Sequence, residues 1–257
     1  MRTTRRLRNL RDHLRRVGTD ERLRSAAVTY GRLDYPAAEI HLQLTSRDEF
    51  HRLRSCEKEP WTVRWIEEYL KPGEVLYDVG ANVGAYTLVA AVAVPEARVV
   101  SFEPSPANFA ALCANLELNA VGERVIAVPL ALGERPRSAS LDRDGAVPGT
   151  APRVVDGVRR EDGNIAVLVD RLDDVVSRFD LPQPDHLKLD VEGAELEVLD
   201  GGEGLLGAVR SVMVELDRER GAAVADRLVG LGFELLERAG GREHTRTTPD
   251  YGLFTRR

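Results

Sequence analysis

The chain has 257 residues and a formal net charge of −6, with 43% hydrophobic and 30% charged side chains, an ordinary soluble globular composition rather than a disordered or membrane one. Its longest apolar run, residues 88–94, is far too short to span a bilayer, and no apolar core follows the amino-terminal arginines, so no secretory signal is expected. Cys56 and Cys113 lack metal-type spacing and fit two thiols in a reducing cytoplasm. Charge is unevenly divided. Residues 1–60 hold 14 Lys and Arg against 9 Asp and Glu, so the remaining 197 residues carry −11. An acidic main domain argues against a nucleic-acid backbone as partner.

Taken in order, residues 1–24 place Leu7, Leu10, Leu14 and Val17 at helical spacing among arginines, an amphipathic helix ending near Gly18. Residues 25–55 mix strand-like runs with turns. These residues 25–55 read as part of a substrate wall, and residues 1–60 together as an amino-terminal extension. Residues 61–257 then form the main domain. Pro60 opens a helix whose Trp61, Trp65, Ile66, Tyr69 and Leu70 share a face, placing both tryptophans against a sheet. Lys71-Pro72-Gly73 breaks it.

A short apolar strand, residues 75–79, follows, interrupted only by Asp78. Gly80, Asn82 and Gly84 then alternate before a helical pattern begins at Tyr86. Strand, glycine turn and helix in that order cradle nucleotide-like cofactors. Further strands are expected at residues 98–104, 125–130, 165–169, 186–190, 209–216, 233–238 and 251–255, with helices between most of them. Near-continuous apolar strands alternating with helices predict an α/β fold: a parallel sheet covered on both faces. Residues 134–163, rich in Arg, Asp, Gly and Pro, interrupt the rhythm and read as a lid-like insertion.

A dinucleotide fingerprint starting at Gly80 needs glycine at the third position, where Asn82 stands. Asp78, Glu103, Asp190 and Glu192 all fall near the carboxyl edge of the predicted sheet, where such folds bind ligands. That negative charge would repel a pyrophosphate and suits S-adenosylmethionine, a phosphate-free cation with a ribose diol. A Rossmann-type NAD(P)-dependent oxidoreductase is the alternative, disfavoured on the same grounds.

The motifs Asp78-Val-Gly-Ala-Asn-Val-Gly84, Phe102-Glu-Pro104, Ala131-Leu-Gly133 and Leu187-Lys-Leu-Asp-Val-Glu-Gly-Ala-Glu-Leu196, in this order, resemble the FkbM family of S-adenosylmethionine-dependent methyltransferases. The resemblance implies a Rossmann-like class I methyltransferase fold, with a seven-stranded, mostly parallel sheet and an antiparallel last strand. It also implies O-methylation of a hydroxyl on a small molecule, sugar or polyketide-type natural product. Carried over by motif, Gly80, Ala81, Asn82 and Gly84 form the turn around the methionine moiety, and Asp78 orients it. Glu103, with Pro104 beside it, accepts the ribose hydroxyls, Ala131 and Leu132 flank the adenine, and Tyr86 and Thr87 reach the cofactor carboxylate.

A neutral alcohol needs a base or a metal to become a nucleophile. Asp190 and Glu192 are the candidate catalytic residues. Mg²⁺ held by these two and Glu215 ranks below the general base, and no metal site is predicted. His186 reads as structural, while His41, His51 and His244 have no assigned place. An amino-methylase of nucleic acids would carry an Asn/Asp-Pro-Pro-aromatic motif after the fourth strand, which Leu189-Asp-Val-Glu-Gly193 does not match. An inactive methyltransferase-like binding subunit is the non-enzyme alternative, against which the intact cofactor motifs speak. Oligomeric state is left open.

Overall fold

The computed structural model describes residues 29–142, 147–158, 164–240 and 250–256; the helix expected within residues 1–24, and His244, lie outside them. The described residues open with an antiparallel hairpin, β1 (Thr29–Arg32) and β2 (His41–Leu44), then two short helices, α1 (Arg47–Arg52) and α2 (Ser55–Lys58). Hydrophobic period gives no sign of helices this short. The overlooked signal for α1 is Ser46-Arg-Asp-Glu49, a capping box: Glu49 N donates to Ser46 Oγ at 3.2 Å, and Ser46 N donates to the Glu49 carboxylate at 2.7 Å.

Helix α3 (Pro60–Tyr69) begins with proline where a missing N–H costs nothing. Trp65 Nε1 donates to Ser211 Oγ at 2.9 Å, and the Trp61 ring lies 5.5 Å from that of Tyr251. Both tryptophans dock the helix on the sheet, as their spacing predicts. There follow β3 (Val75–Val79), α4 (Ala85–Ala93), β4 (Arg98–Phe102), α5 (Pro106–Leu118) and β5 (Val125–Val128). Next come β6 (Ala131–Leu132), β7 (Arg137–Leu141), β8 (Val154–Asp156), β9 (Ile165–Asp170) and α6 (Leu172–Phe179). The chain closes with β10 (His186–Leu189), α7 (Glu195–Gly201), α8 (Glu203–Leu206), β11 (Ser211–Leu216), α9 (Gly221–Gly230), β12 (Glu234–Gly240) and β13 (Asp250–Thr255).

The main sheet has seven strands in the order β12-β13-β11-β10-β3-β4-β5, and only β13 runs antiparallel to its neighbours. Alternate residues of each strand enter opposite layers. Leu76, Val99 and Met213 pack with α3, α4 and α5; Val75, Tyr77, Phe102, Leu187 and Val214 pack with α6 to α9. Burying each such side chain is worth roughly 1.5–3 kcal/mol, so these two apolar layers carry the fold.

The described part of residues 134–163 forms strands rather than a simple flap. Strand β7 pairs antiparallel with both β8 and β9, and β6 joins β9 in parallel, making a second, four-stranded sheet. The pattern in β7 is weak because only Ala139 and Leu141 are apolar. Its branched partners, Ile165, Val167 and Val169, are supplied from across the insertion. Among the described residues no helix is long and apolar enough to cross a membrane.

Candidate active site

The carboxyl ends of β3, β4 and β10 open on one cavity, because parallel strands all deliver their following loops to the same sheet edge. The loop after β3 turns sharply through left-handed backbone at Gly80 (φ +85°), Asn82 (φ +53°) and Gly84 (φ +88°). At Gly80 only glycine fits: a Cβ there would lie 1.8 Å from the main-chain oxygen of Asp190. Asparagine tolerates the left-handed region better than most residues, and Asn82 uses its side chain twice. Its Oδ1 accepts from Val83 N at 2.9 Å, and its Nδ2 donates to Thr150 O at 2.6 Å.

Glu103 follows β4 and faces that turn. Asn82 N donates to its Oε2 at 2.8 Å and Ser105 N to its Oε1 at 2.8 Å. Asn108 Nδ2 adds a longer bond to Oε1 at 3.4 Å, and since each carboxylate oxygen carries two lone pairs, Oε2 keeps room for one further donor. Burial pushes this carboxyl up to about 7, against the pull of the Ser105, Asn82 and Asn108 hydrogen bonds.

The cavity measures about 360 Å³, within the range of small-molecule sites. Gly80, Asn82, Glu103, Pro104, Ala131 and Leu132 line one part, and Asp190, Glu192 and Glu215 another. Other residues expected at the site do not open onto it. Asp78 is fully buried and accepts at 2.6 Å from Thr87 Oγ1, which also lies 2.8 Å from Ser101 Oγ. Tyr86 donates its hydroxyl to Ser55 O at 2.8 Å. The rotational phase of α4 turns both hydroxyls into the protein, so neither reaches toward a ligand. Ala81 and Gly84 close the turn from within, with Gly84 N donating to Ala81 O at 2.8 Å. His186 is buried, its ring nitrogens 2.9 Å from Glu74 and 2.7 Å from Ser211 Oγ.

Four further wall residues carry no local sequence signal: Arg52, Lys58, Val154 and Tyr251. The first two come from the extension and Val154 from the insertion, and these two segments are joined. Ser46 Oγ donates to Pro148 O at 2.6 Å, and Arg52 donates through Nε and Nη2 to Gly149 O at 2.9 and 2.7 Å. Gly149 N in turn donates to Asn108 Oδ1 at 2.8 Å, while Asn108 Nδ2 donates to Thr150 O at 3.1 Å. Residues 148–150 are therefore pinned between the extension and the Gly80–Gly84 turn.

The acidic end is asymmetric. Lys188 Nζ, buried beneath the cavity, stands 3.3 Å from Asp190 Oδ2 and 3.6 Å from Asp78 Oδ1. Burial works against its charge, but Asp190 and Asp78 outweigh burial and keep it an ammonium. Burial likewise opposes the Asp190 carboxylate, and Lys188 overrides it and holds the group ionised. Glu215 hydrogen-bonds Asp190; burial first, and then the Asp190 charge, raise it well above the usual carboxylate range. The two carboxyls are thus driven in opposite directions, Asp190 down and Glu215 up. Glu192 (φ +53°) is also raised, by burial and by the same neighbour. Asp190, Glu192 and Glu215 offer oxygens within 4.8 Å of one another, the donor chemistry that Mg²⁺ prefers.

A parallel sheet in this order with one reversed strand, and a glycine turn after β3, define a Rossmann-like class I methyltransferase fold. The profile of the methyltransferase FkbM domain matches residues 78–235, and the chain belongs to that family. Hexuronic acid methyltransferase AglP of Haloferax volcanii is 31% identical over 173 residues, covering 66% of this chain and 67% of its own. The 31-O-demethyl-FK506 methyltransferase FkbM of Streptomyces tacrolimicus is 33% identical over 195 residues, covering 65% and 75%. Magnesium protoporphyrin IX methyltransferase ChlM from Synechocystis PCC 6803, solved with bound SAM, superposes with a TM-score of 0.50 at 14% identity over 81% of this chain and 83% of its own. At that identity the likeness speaks for the fold alone. Membership of a methyltransferase family displaces the oxidoreductase alternative.

Proposed function

We propose that the protein is an S-adenosylmethionine-dependent O-methyltransferase whose acceptor is a hydroxyl of a small molecule, a sugar or a polyketide-type product rather than a nucleic acid. The observation that carries this reading is the Asp190 carboxyl lining the same cavity as Gly80, Asn82 and Glu103. The names of two relatives, one acting on a hexuronic acid and one on a demethylated FK506, agree with such an acceptor.

The fit to the cofactor is chemical. A side-chain-free approach at Gly80, an acceptor carboxylate at Glu103 and small apolar walls at Pro104, Ala131 and Leu132 suit, in turn, a methionine moiety, a ribose diol and an adenine. When bound, the cofactor supplies a methyl group on a sulfonium, already a good electrophile. The protein's task is alignment and removal of the acceptor proton. Asp190 takes that proton from the hydroxyl. Glu215, carrying its own proton, donates to Asp190 and fixes the carboxylate's orientation. Glu192, at the rim, positions the acceptor. Asp78 and Thr87 hold β3 to α4, and so keep the turn in place without touching the ligand.

Calorimetry with S-adenosylhomocysteine and with NAD, followed by transfer of radiolabelled methyl to sugar and polyketide alcohols, tests the reading. Binding of S-adenosylhomocysteine alone and alkali-stable methyl ether products are expected. Binding of NAD alone would sink it. Loss of turnover in EDTA, restored by Mg²⁺, would replace the base by a metal held at Asp190, Glu192 and Glu215.

A further inference from the structure

Lys188 is an anomaly in its strand. Parallel strands covered on both faces are apolar, and β10 is buried throughout, yet an ammonium sits in its middle with its side chain 2% exposed. Leu187 and Leu189 enter the layer of α6 to α9, so Lys188 points to the other side, beneath the ring of Tyr86, whose centroid is 5.2 Å from Nζ. Its cross-strand neighbour in register is Asp78. Glu59, at the start of α3, adds a third carboxylate to its surroundings.

Two roles are open to such a cation: counter-ion to the buried Asp78, or brace for Asp190. The distances separate them. Nζ hydrogen-bonds Asp190 Oδ2 at 3.3 Å, while Asp78 Oδ1 at 3.6 Å has no hydrogen-bond partner at all. The ammonium leans toward the cavity residue and leaves the fully buried one under-satisfied. A purely structural counter-ion would do the reverse, because the unmet acceptor costs more where water cannot reach it.

The geometry points to Lys188 as a positioning residue for methyl transfer: anchored beneath the sheet edge, it holds the Asp190 carboxylate in the cavity at the place where the acceptor hydroxyl must lose its proton. Two links complete the brace. Asp78 is tied through Thr87 to Ser101, so four elements (β3, α4, β4 and β10) share one buried polar chain. Main-chain contact between Asp190 and Gly80 then fixes the carboxylate's distance from the cofactor turn. The inference rests on the proposed role of Asp190.

Replacing Lys188 alone would strand the Asp78 charge and risk unfolding. The decisive protein is therefore the full chain carrying Lys188→Met together with Asp78→Asn, which removes the buried pair as a unit. Its structure is solved with S-adenosylhomocysteine, and its kcat, acceptor KM and S-adenosylhomocysteine affinity are compared with the parent's. The expected result is a folded protein with parental affinity, the Asp190 carboxylate displaced by about 1 Å, and kcat lowered on the order of 100-fold without a matching rise in KM. Asp190 unmoved and kcat retained would reduce Lys188 to a counter-ion and overturn the inference. A parent chain that methylates no alcohol would instead refute the proposed function, and the position of Asp190 in the two crystal structures would still decide the role of Lys188.

Discussion

The main-chain oxygen of Asp190 fills the space a side chain on Gly80 would need. Cofactor turn and candidate base are thus in backbone contact, and neither shifts without the other. Gly80→Ala combines a strained φ of +85° with a 1.8 Å overlap against main chain. It should destabilise the protein on the order of 2–5 kcal/mol, read as a drop in the denaturation midpoint. A midpoint equal to the parent's would mean that the two loops are not in contact.

Glu103 should make cofactor affinity depend on pH. Its carboxyl, pushed up to about 7 by burial, is protonated and neutral in the free protein below that pH and is an ionised carboxylate above it. The ionised form is the stronger acceptor for ribose hydroxyls. Affinity for S-adenosylhomocysteine should therefore be level above about pH 8 and fall as pH drops through 7, by up to about tenfold per unit. Glu103→Ala should weaken binding at every pH and flatten the profile. Calorimetry from pH 5.5 to 8.5 measures both, and a flat parental profile would contradict the assignment.

Asp190→Asn keeps the size of the side chain but replaces one acceptor oxygen by a donor nitrogen and removes its charge and basicity. Binding of S-adenosylhomocysteine should survive, while kcat falls by about 10²–10⁴. Single-turnover kinetics separate the two effects. Normal turnover by this variant would move the base elsewhere, with Glu192 next to be tested.

Arg52 gives two charged hydrogen bonds to one carbonyl, Gly149 O. A hydrogen bond to a charged group contributes about 1.5–3 kcal/mol, so Arg52→Ala should loosen residues 147–152 locally. Faster amide exchange there, and quicker release of S-adenosylhomocysteine, are expected with little change in global melting. Exchange rates like those of the parent would show that Ser46 and Asn108 suffice to hold the segment.

The sequence was most legible where physics is local. Strand β3, its glycine turn and α4 follow from residues within a few positions of one another, as does the docking of α3 through Trp61 and Trp65. What escaped notice depends on partners distant in the chain. Strand β7 is nearly featureless until β9 lies beside it. Asn82 looked like an obstacle to a pyrophosphate, but its amide spends a hydrogen bond on Thr150, 68 residues away. Tyr86 and Thr87 begin a helix whose N-terminus favours anions, yet helical phase decides where a hydroxyl points, and here it points inward. Lys188 did leave a trace. A charged residue in a strand covered on both faces must find counter-charges within the protein, and Asp78 and Asp190 were both already suspect.

The stretch that matches the FkbM domain begins at residue 78, but part of the cavity wall is built from outside it. Ser46 and Arg52 grip Pro148 and Gly149 across 102 and 97 residues of chain. Those two segments make a single unit in the sense that each is the other's scaffold. Transplant residues 46–58 alone into a relative and the arginine meets no carbonyl; transplant residues 147–154 alone and the carbonyl meets no arginine. A chimera that exchanges one cavity wall for another has to move both halves together.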